Sequence, residues 1–171
     1  GATAQASQIF YYQPEDITPP ACSSFKINYG LAYAPSQVVR LSFEVTDSDS
    51  GMGPGAKVSL SNDGATWQKL DYASQVLWPL FPGDGQKTVF ARFTDVAGNE
   101  SEVYSAKIIY DSTLPTIGAI SQRFRPRSSI QIITTITDSL SGIKTAYITS
   151  SFYATRRLPL NNFTLQSTGS G

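Results

Sequence analysis

Val45-Thr46-Asp47-Ser48-Asp49-Ser50-Gly51 returns later in the chain as Ile136-Thr137-Asp138-Ser139-Leu140-Ser141-Gly142. An apolar run of period two leads into each copy. In the first it is Val39, Leu41, Phe43 and Val45. In the second it is Ile130, Ile132 and Ile136, with Thr134 in register. Side chains that alternate in this way line one face of a β-strand. The two phrases lie 91 residues apart, about the length of one β-sandwich module. Asp16-Ile17-Thr18-Pro19-Pro20 and Asp111-Ser112-Thr113-Leu114-Pro115 repeat at a spacing of 95. The sequence therefore predicts an all-β chain of tandem sandwich modules.

Composition agrees. Of 171 residues, 40% are apolar and 15% charged, with 9 Tyr, 9 Phe, 13 Gly and 10 Pro. That mix favours strands and tight turns. No stretch of helical period exceeds about two turns. The chain has no His, which excludes Ser-His-Asp and Cys-His nucleophilic systems and every His-ligated zinc or haem site. Cys22 is the single cysteine, so no internal disulfide or cysteine metal cluster can form. It reads as a half-buried apolar residue ahead of the first strand, or as a thiol for a bridge to another chain. No apolar run approaches the roughly 18 residues of a membrane span, so none is expected. No signal peptide is apparent, and Gly1-Ala2-Thr3-Ala4-Gln5-Ala6 reads either as a mature N-terminus or as an arbitrary boundary.

Net charge is zero, but it is divided unevenly. Residues 1–114 hold 7 basic and 12 acidic residues, a net −5, and residues 115–171 hold 6 basic residues against Asp138, a net +5. Such asymmetry can steer head-to-tail association.

Three regions are expected: an arm over 1–18, a sandwich over 19–113, and a second, shortened module with a flexible tail over 114–171. The arm carries Ile9, Phe10, Tyr11 and Tyr12, whose β propensity suits a strand looking for a sheet. In the first module strands are expected over Phe25–Asn28, Val38–Thr46, Lys57–Ser61, Thr66–Leu70, Gln75–Leu80, an alternating run around Val89, Ala91 and Phe93, and Val103–Tyr110. Asn62-Asp63-Gly64 is a hairpin turn signal, because Asp-Gly accepts the positive φ that tight hairpins need. Trp67, just beyond it, is expected to fill the core. In the second module strands are expected over Thr116–Ser121, Ser129–Thr137, Ile143–Ser151 and Phe163–Gln166.

These residues resemble a family of bacterial extracellular immunoglobulin-like repeats, related in architecture to fibronectin type III modules. The likeness rests on Thr18-Pro19-Pro20, Phe25 to Gly30, Val39 to Phe43, Ser61 to Trp67, Gly83 to Val89 and Thr94-Asp95-Val96-Ala97-Gly98-Asn99. It implies secreted or surface-anchored proteins acting as spacers, adhesin stalks or accessory modules, without a shared catalytic site.

Asp47, Asp49, Asp95 and Asn99 fall in turns that a sandwich could gather at one end, and oxygen ligands of this kind suit Ca²⁺. The competing expectation is that they cap the amides of their own turns. No other cofactor is expected. Asp84 lies between two glycines and reads as a turn residue. A glycosidase would need two carboxylates facing one cleft, and nothing in the sequence places them, so no enzymatic activity is expected. Arg123, Arg125 and Arg127 interleave with Phe124 and Pro126. With zero net charge this is not a nucleic-acid signal, and it suits a contact with the acidic part of a neighbour. The expected function is thus a non-enzymatic extracellular or cell-surface structural protein: a spacer, an adhesin segment or a filament subunit. Its partners would be copies of itself or another surface protein. In the filament form, Ile9–Tyr12 would add as a strand to the open second module of another subunit. The alternative is a carbohydrate-binding accessory module of a secreted polysaccharide-degrading enzyme, with exposed aromatics stacking on glycan.

Overall fold

The computed structural model describes residues 15–125, 129–143, 145–149 and 157–159. Eight strands occupy residues 21–110: β1 (Ala21–Ile27), β2 (Tyr33–Ala34), β3 (Val38–Thr46), β4 (Lys57–Ser61), β5 (Gln68–Asp71), β6 (Gln75–Pro79), β7 (Gly85–Thr94) and β8 (Tyr104–Tyr110). They form a three-stranded sheet in the order β1-β3-β6 and a five-stranded sheet in the order β2-β8-β7-β4-β5. Six further strands follow: β9 (Thr116–Ile117), β10 (Ser121–Arg125), β11 (Ser129–Ile133), β12 (Ile136–Thr137), β13 (Tyr147–Thr149) and β14 (Arg157–Pro159). These pair in twos: β10 with β11, β9 with β12, and β13 with β14. The only helical element among the described residues is a single 3-10 turn at Asn28–Gly30, and no helix there is long and apolar enough to cross a membrane. The fold is all-β and sandwich-like.

Contacts group the described chain into two units. One comprises residues 15–25, 42–76 and 89–105, and the other residues 26–41, 77–88 and 106 onward. In the first unit, alternation on β4 sends Val58 and Leu60 inward, and alternation on β7 sends Val89, Ala91 and Phe93 inward, all fully buried. Their strands are antiparallel neighbours, with Val58 opposite Phe93 and Leu60 opposite Ala91. Phe43 of the three-stranded sheet meets Phe93 of the five-stranded sheet at 5.2 Å between ring centroids. Phe25, Tyr72 and Tyr104 close around this pair. In the second unit the buried apolar residues are Ile27, Ala34, Val39, Leu41, Trp78, Leu80 and Ile108.

The Asn62–Gly64 turn forms as the sequence predicts. The Asp63 carboxylate accepts the amides of Ala65 and Thr66 at 2.8 and 2.7 Å, and Gly64 takes a φ of 74°. The Thr66 and Ala65 amides and the Ser61 hydroxyl hold the Asp63 carboxyl far below the usual carboxylate range. Val38–Thr46 and Lys57–Ser61 are strands over the expected residues.

Several expectations need correction. Trp67 is not in the core. It precedes the edge strand β5, and the β4–β5 register carries it to the face opposite Val58 and Leu60. There the Arg92 guanidinium lies over its ring, 4.2 Å from the centroid. The buried tryptophan is Trp78, only 6% exposed. Strand β1 begins at Ala21, so Cys22 lies within it and not ahead of it. Burial raises the Cys22 thiol pKa. The sequence reading missed β2, a two-residue strand that runs parallel to β8. The expected strand Thr116–Ser121 is broken into β9 and the start of β10. At the break the Gly118 amide donates to the Thr135 carbonyl at 2.7 Å, and a Cβ on Gly118 would meet that oxygen at 3.3 Å. Ser129–Thr137 divides into β11 and β12, and of Ile143–Ser151 only Tyr147–Thr149 is strand among the described residues. Phe163–Gln166 and the arm residues Ile9, Phe10, Tyr11 and Tyr12 lie outside the described residues.

Candidate functional site

Three turns of the first unit meet at one place. The entry segment brings Asp16, the loop after β3 brings Asp47, and the loop after β7 brings Asp95. A carboxylate oxygen from each lies within 4.8 Å of the other two. Asp95 is buried, at 2% exposure, while Asp16 and Asp47 are half-buried.

Each carboxylate is fixed by its own turn. Asp47 accepts the amides of Asp49 and Gly51 through Oδ1, at 3.1 and 2.8 Å. Asp95 Oδ1 accepts the amides of Gly98 and Asn99, at 2.6 and 2.8 Å. The φ of 102° at Gly98 is what lets the chain curl back over this oxygen. Asp16 accepts the Thr18 amide at 2.8 Å and, from across the site, the Ser50 amide at 3.0 Å. Hydrogen bonds from Ser50 and Thr18 hold its carboxyl below the usual carboxylate range. The Asn99 carboxamide joins the turns, donating to Asp95 Oδ2 at 2.9 Å and to the Asp16 carbonyl at 3.1 Å.

The capping expected for turn carboxylates is therefore present, but it leaves a remainder. Asp47 Oδ2 is buried and accepts no hydrogen bond. The donors to the three carboxylates are backbone amides, one carboxamide and the Ser50 side chain, all uncharged. A buried anionic oxygen on one of three clustered carboxylates is costly unless a cation joins it. Ca²⁺ binds oxygen at 2.3–2.6 Å, so oxygens that share one ion lie no more than about 5.2 Å apart, a limit that three oxygens within 4.8 Å of one another satisfy.

Of the four expected ligands, Asp47 and Asp95 belong to this trio. Asp49 does not: it is exposed and its Oδ2 accepts the Thr18 hydroxyl at 3.1 Å. Asn99 touches the trio through its nitrogen, as a donor. Asp16, the third member of the trio, was not among the expected residues. Its signal was the Asp-x-Thr phrase shared with Asp111, read only as a repeat. Arg123 and Arg125 lie on β10 opposite Gln131 and Ser129, and Arg127 is outside the described residues.

The second phrase rebuilds most of this geometry in the second unit. Asp138 Oδ1 accepts the amides of Leu140 and Gly142, as Asp47 accepts those of Asp49 and Gly51. Asp111 accepts the Thr113 amide and, from across, the Ser141 amide at 2.9 Å, as Asp16 accepts those of Thr18 and Ser50.

Asp84 is more than a turn residue. Its Oδ1 accepts the Ser112 amide and hydroxyl at 2.9 and 2.7 Å, and its Oδ2 accepts the Thr113 hydroxyl. The Thr113 and Ser112 hydroxyls and the Ser112 amide lower the Asp84 pKa from 3.8 to about 2. A depressed carboxyl pKa stabilises the bonded form above the ordinary value and ceases to do so as pH falls through the lowered one. The Ser112 amide proton shift is thus expected to titrate with a midpoint near pH 2. A midpoint near the ordinary carboxylate value would show that Asp84 does not hold this segment.

Compared with models of known protein families and with curated proteins, the chain matches none.

Proposed function

We propose that this chain is a non-enzymatic structural and interaction protein of the extracellular space or cell surface. It consists of successive immunoglobulin-like modules, residues 19–113 and 114–171, and acts as a spacer or fibre segment. The carboxylate trio, Asp16 of the entry segment with Asp47 and Asp95 of the first module, takes a hard divalent cation of the Ca²⁺ type that braces the module's entrance. The observation that carries the reading is Asp47, whose Oδ2 is buried without a donor and whose carboxylate has an oxygen within 4.8 Å of one from Asp16 and one from Asp95. The recurrence of the same turn bonds around Asp111 and Asp138 supports a repeated unit. The resemblance to bacterial extracellular repeats supports the location. Calorimetric titration of chelator-treated protein with Ca²⁺ tests it. One site per chain is expected, lost in Asp47→Asn, and an absence of binding overturns it.

Assembly through the arm is the finer form of this proposal. It is supported by the β propensity of Ile9–Tyr12, by the −5/+5 charge division and by the exposure of Leu114, Ile117 and Ile120. Light scattering after size exclusion is expected to show higher oligomers for residues 1–171 and a monomer once residues 1–14 are removed, which leaves Asp16 and Thr18 in place. A monomer in both cases overturns strand addition. The glycan-binding alternative is supported by the exposure of Tyr29 in the 3-10 turn and Tyr33 in β2. Against it, Trp67 is covered by Arg92 and Trp78 is buried.

A further inference from the structure

The two copies of the turn phrase differ at one informative position. Asp49 in the first copy is replaced by Leu140 in the second. In the first copy the Thr18 hydroxyl donates to Asp49 Oδ2 at 3.1 Å, so the entry threonine is tied to its own module. In the second copy Leu140 offers no acceptor side chain. The corresponding Thr113 hydroxyl donates instead to Asp84, in the turn that opens β7. Ser112 adds its amide and hydroxyl to the same carboxylate. On the other side, Asp111 holds the second phrase through the Ser141 amide, and its own amide donates to the Ala34 carbonyl at 3.0 Å.

We propose that residues 111–113 are a built-in latch that fixes the second repeat against the turn at Asp84. The exchange of Asp49 for Leu140 is what turns an intra-module tie into an inter-module one. The inference rests on reading the chain as successive modules. A charged carboxylate that collects three donors from two adjacent residues restrains both the backbone and the side chains of the connector. Without it, a connector of a few residues would leave the two repeats to move independently, the default for small inter-domain interfaces. The first repeat, by contrast, satisfies its entry threonine internally and leaves no hydroxyl at that position for a turn carboxylate from elsewhere.

The test uses the full chain with Cys22→Ser and spin labels at Gln86→Cys and Thr137→Cys, both exposed positions. Pulsed dipolar spectroscopy reads the distribution of label separations. A narrow distribution is expected in this parent. Asp84→Ala is expected to broaden it about two-fold or more, and Thr113→Val and Leu140→Asp are expected to broaden it in the same direction. Leu140→Asp acts by giving Thr113 back its local acceptor. Thr113→Val serves as the second route should Asp84→Ala disturb the turn itself. A parent distribution already as broad as that of Asp84→Ala overturns the latch, and so does a width unchanged by these substitutions. Failure of Ca²⁺ binding at the trio would remove the functional reading and leave a narrow distribution untouched, so the two failures are distinguishable.

Discussion

Phe93→Ala is expected to lower the unfolding free energy by about 3–5 kcal/mol, the cost of emptying a buried aromatic site that cannot collapse. Phe93 is fully buried and its ring meets those of Phe43, Tyr72 and Tyr104. Tilted and edge-on ring pairs add about 0.5–1.5 kcal/mol each beyond area burial, so the upper half of the range is expected. The two tryptophans provide an internal comparison. Trp78→Ala should cost about 3–5 kcal/mol for the same reason. Trp67→Ala should cost only about 1 kcal/mol, chiefly the lost cation–π contact with Arg92. Urea unfolding of the three variants decides this. Equal losses for the two tryptophans would show that the core has been assigned to the wrong side of β5.

Ca²⁺ is expected to raise the melting temperature of the wild-type chain by about 5–10 °C at a concentration near one hundred times its dissociation constant. The linkage gain there is about 2.7 kcal/mol, and each kcal/mol moves the midpoint by about 2–4 °C in a chain of this size. The physical source is relief of repulsion. Each pair of like charges near 4 Å costs from about 1 kcal/mol in water to about 4 kcal/mol at an effective dielectric of 20. Asp47→Asn separates the cation effect from ordinary capping, because its sign depends on the metal. Its carboxamide oxygen can still accept the Asp49 and Gly51 amides, while its nitrogen can donate to the carboxylates of Asp16 and Asp95. In chelator the variant should therefore match or exceed the wild type, by up to about 2 kcal/mol. In Ca²⁺ it should fall below the wild type. Identical melting in Ca²⁺ and in chelator would remove the cation. A loss of stability in Asp47→Asn under both conditions would show that the carboxylate serves only its own turn.

Where one strand face was enough to specify structure, the sequence was readable. Val39, Leu41 and Phe43 alternate with Arg40, Ser42 and Glu44, and a one-residue slip would turn the apolar set to solvent. The Val38–Thr46 strand is accordingly found over its expected residues. Asn62-Asp63-Gly64 was readable because its hydrogen bonds are local. Trp67 was not, since an aromatic beside a hairpin carries no mark of which face it will occupy. The break at Gly118 was also hidden, because its cause is the Thr135 carbonyl, seventeen residues away in the chain. Two members of the trio, Asp47 and Asp95, could be picked out as turn carboxylates. Asp16 could not be joined to them, because 31 residues separate it from Asp47 and 79 from Asp95.

By itself the sequence determined the all-β class, the position of the central strands, the turn chemistry and the duplication of the Asp-Ser-x-Ser-Gly phrase. These follow from local φ/ψ preference and period-two alternation, which act over a few residues. Only the tertiary structure decided that Asp16, Asp47 and Asp95 converge, that Asp47 is left with a buried oxygen lacking a donor, and that Asp84 holds Ser112 and Thr113. Those facts depend on which loops the sheets bring together, and hydrogen bonds between loops distant in sequence leave no periodic trace in the chain.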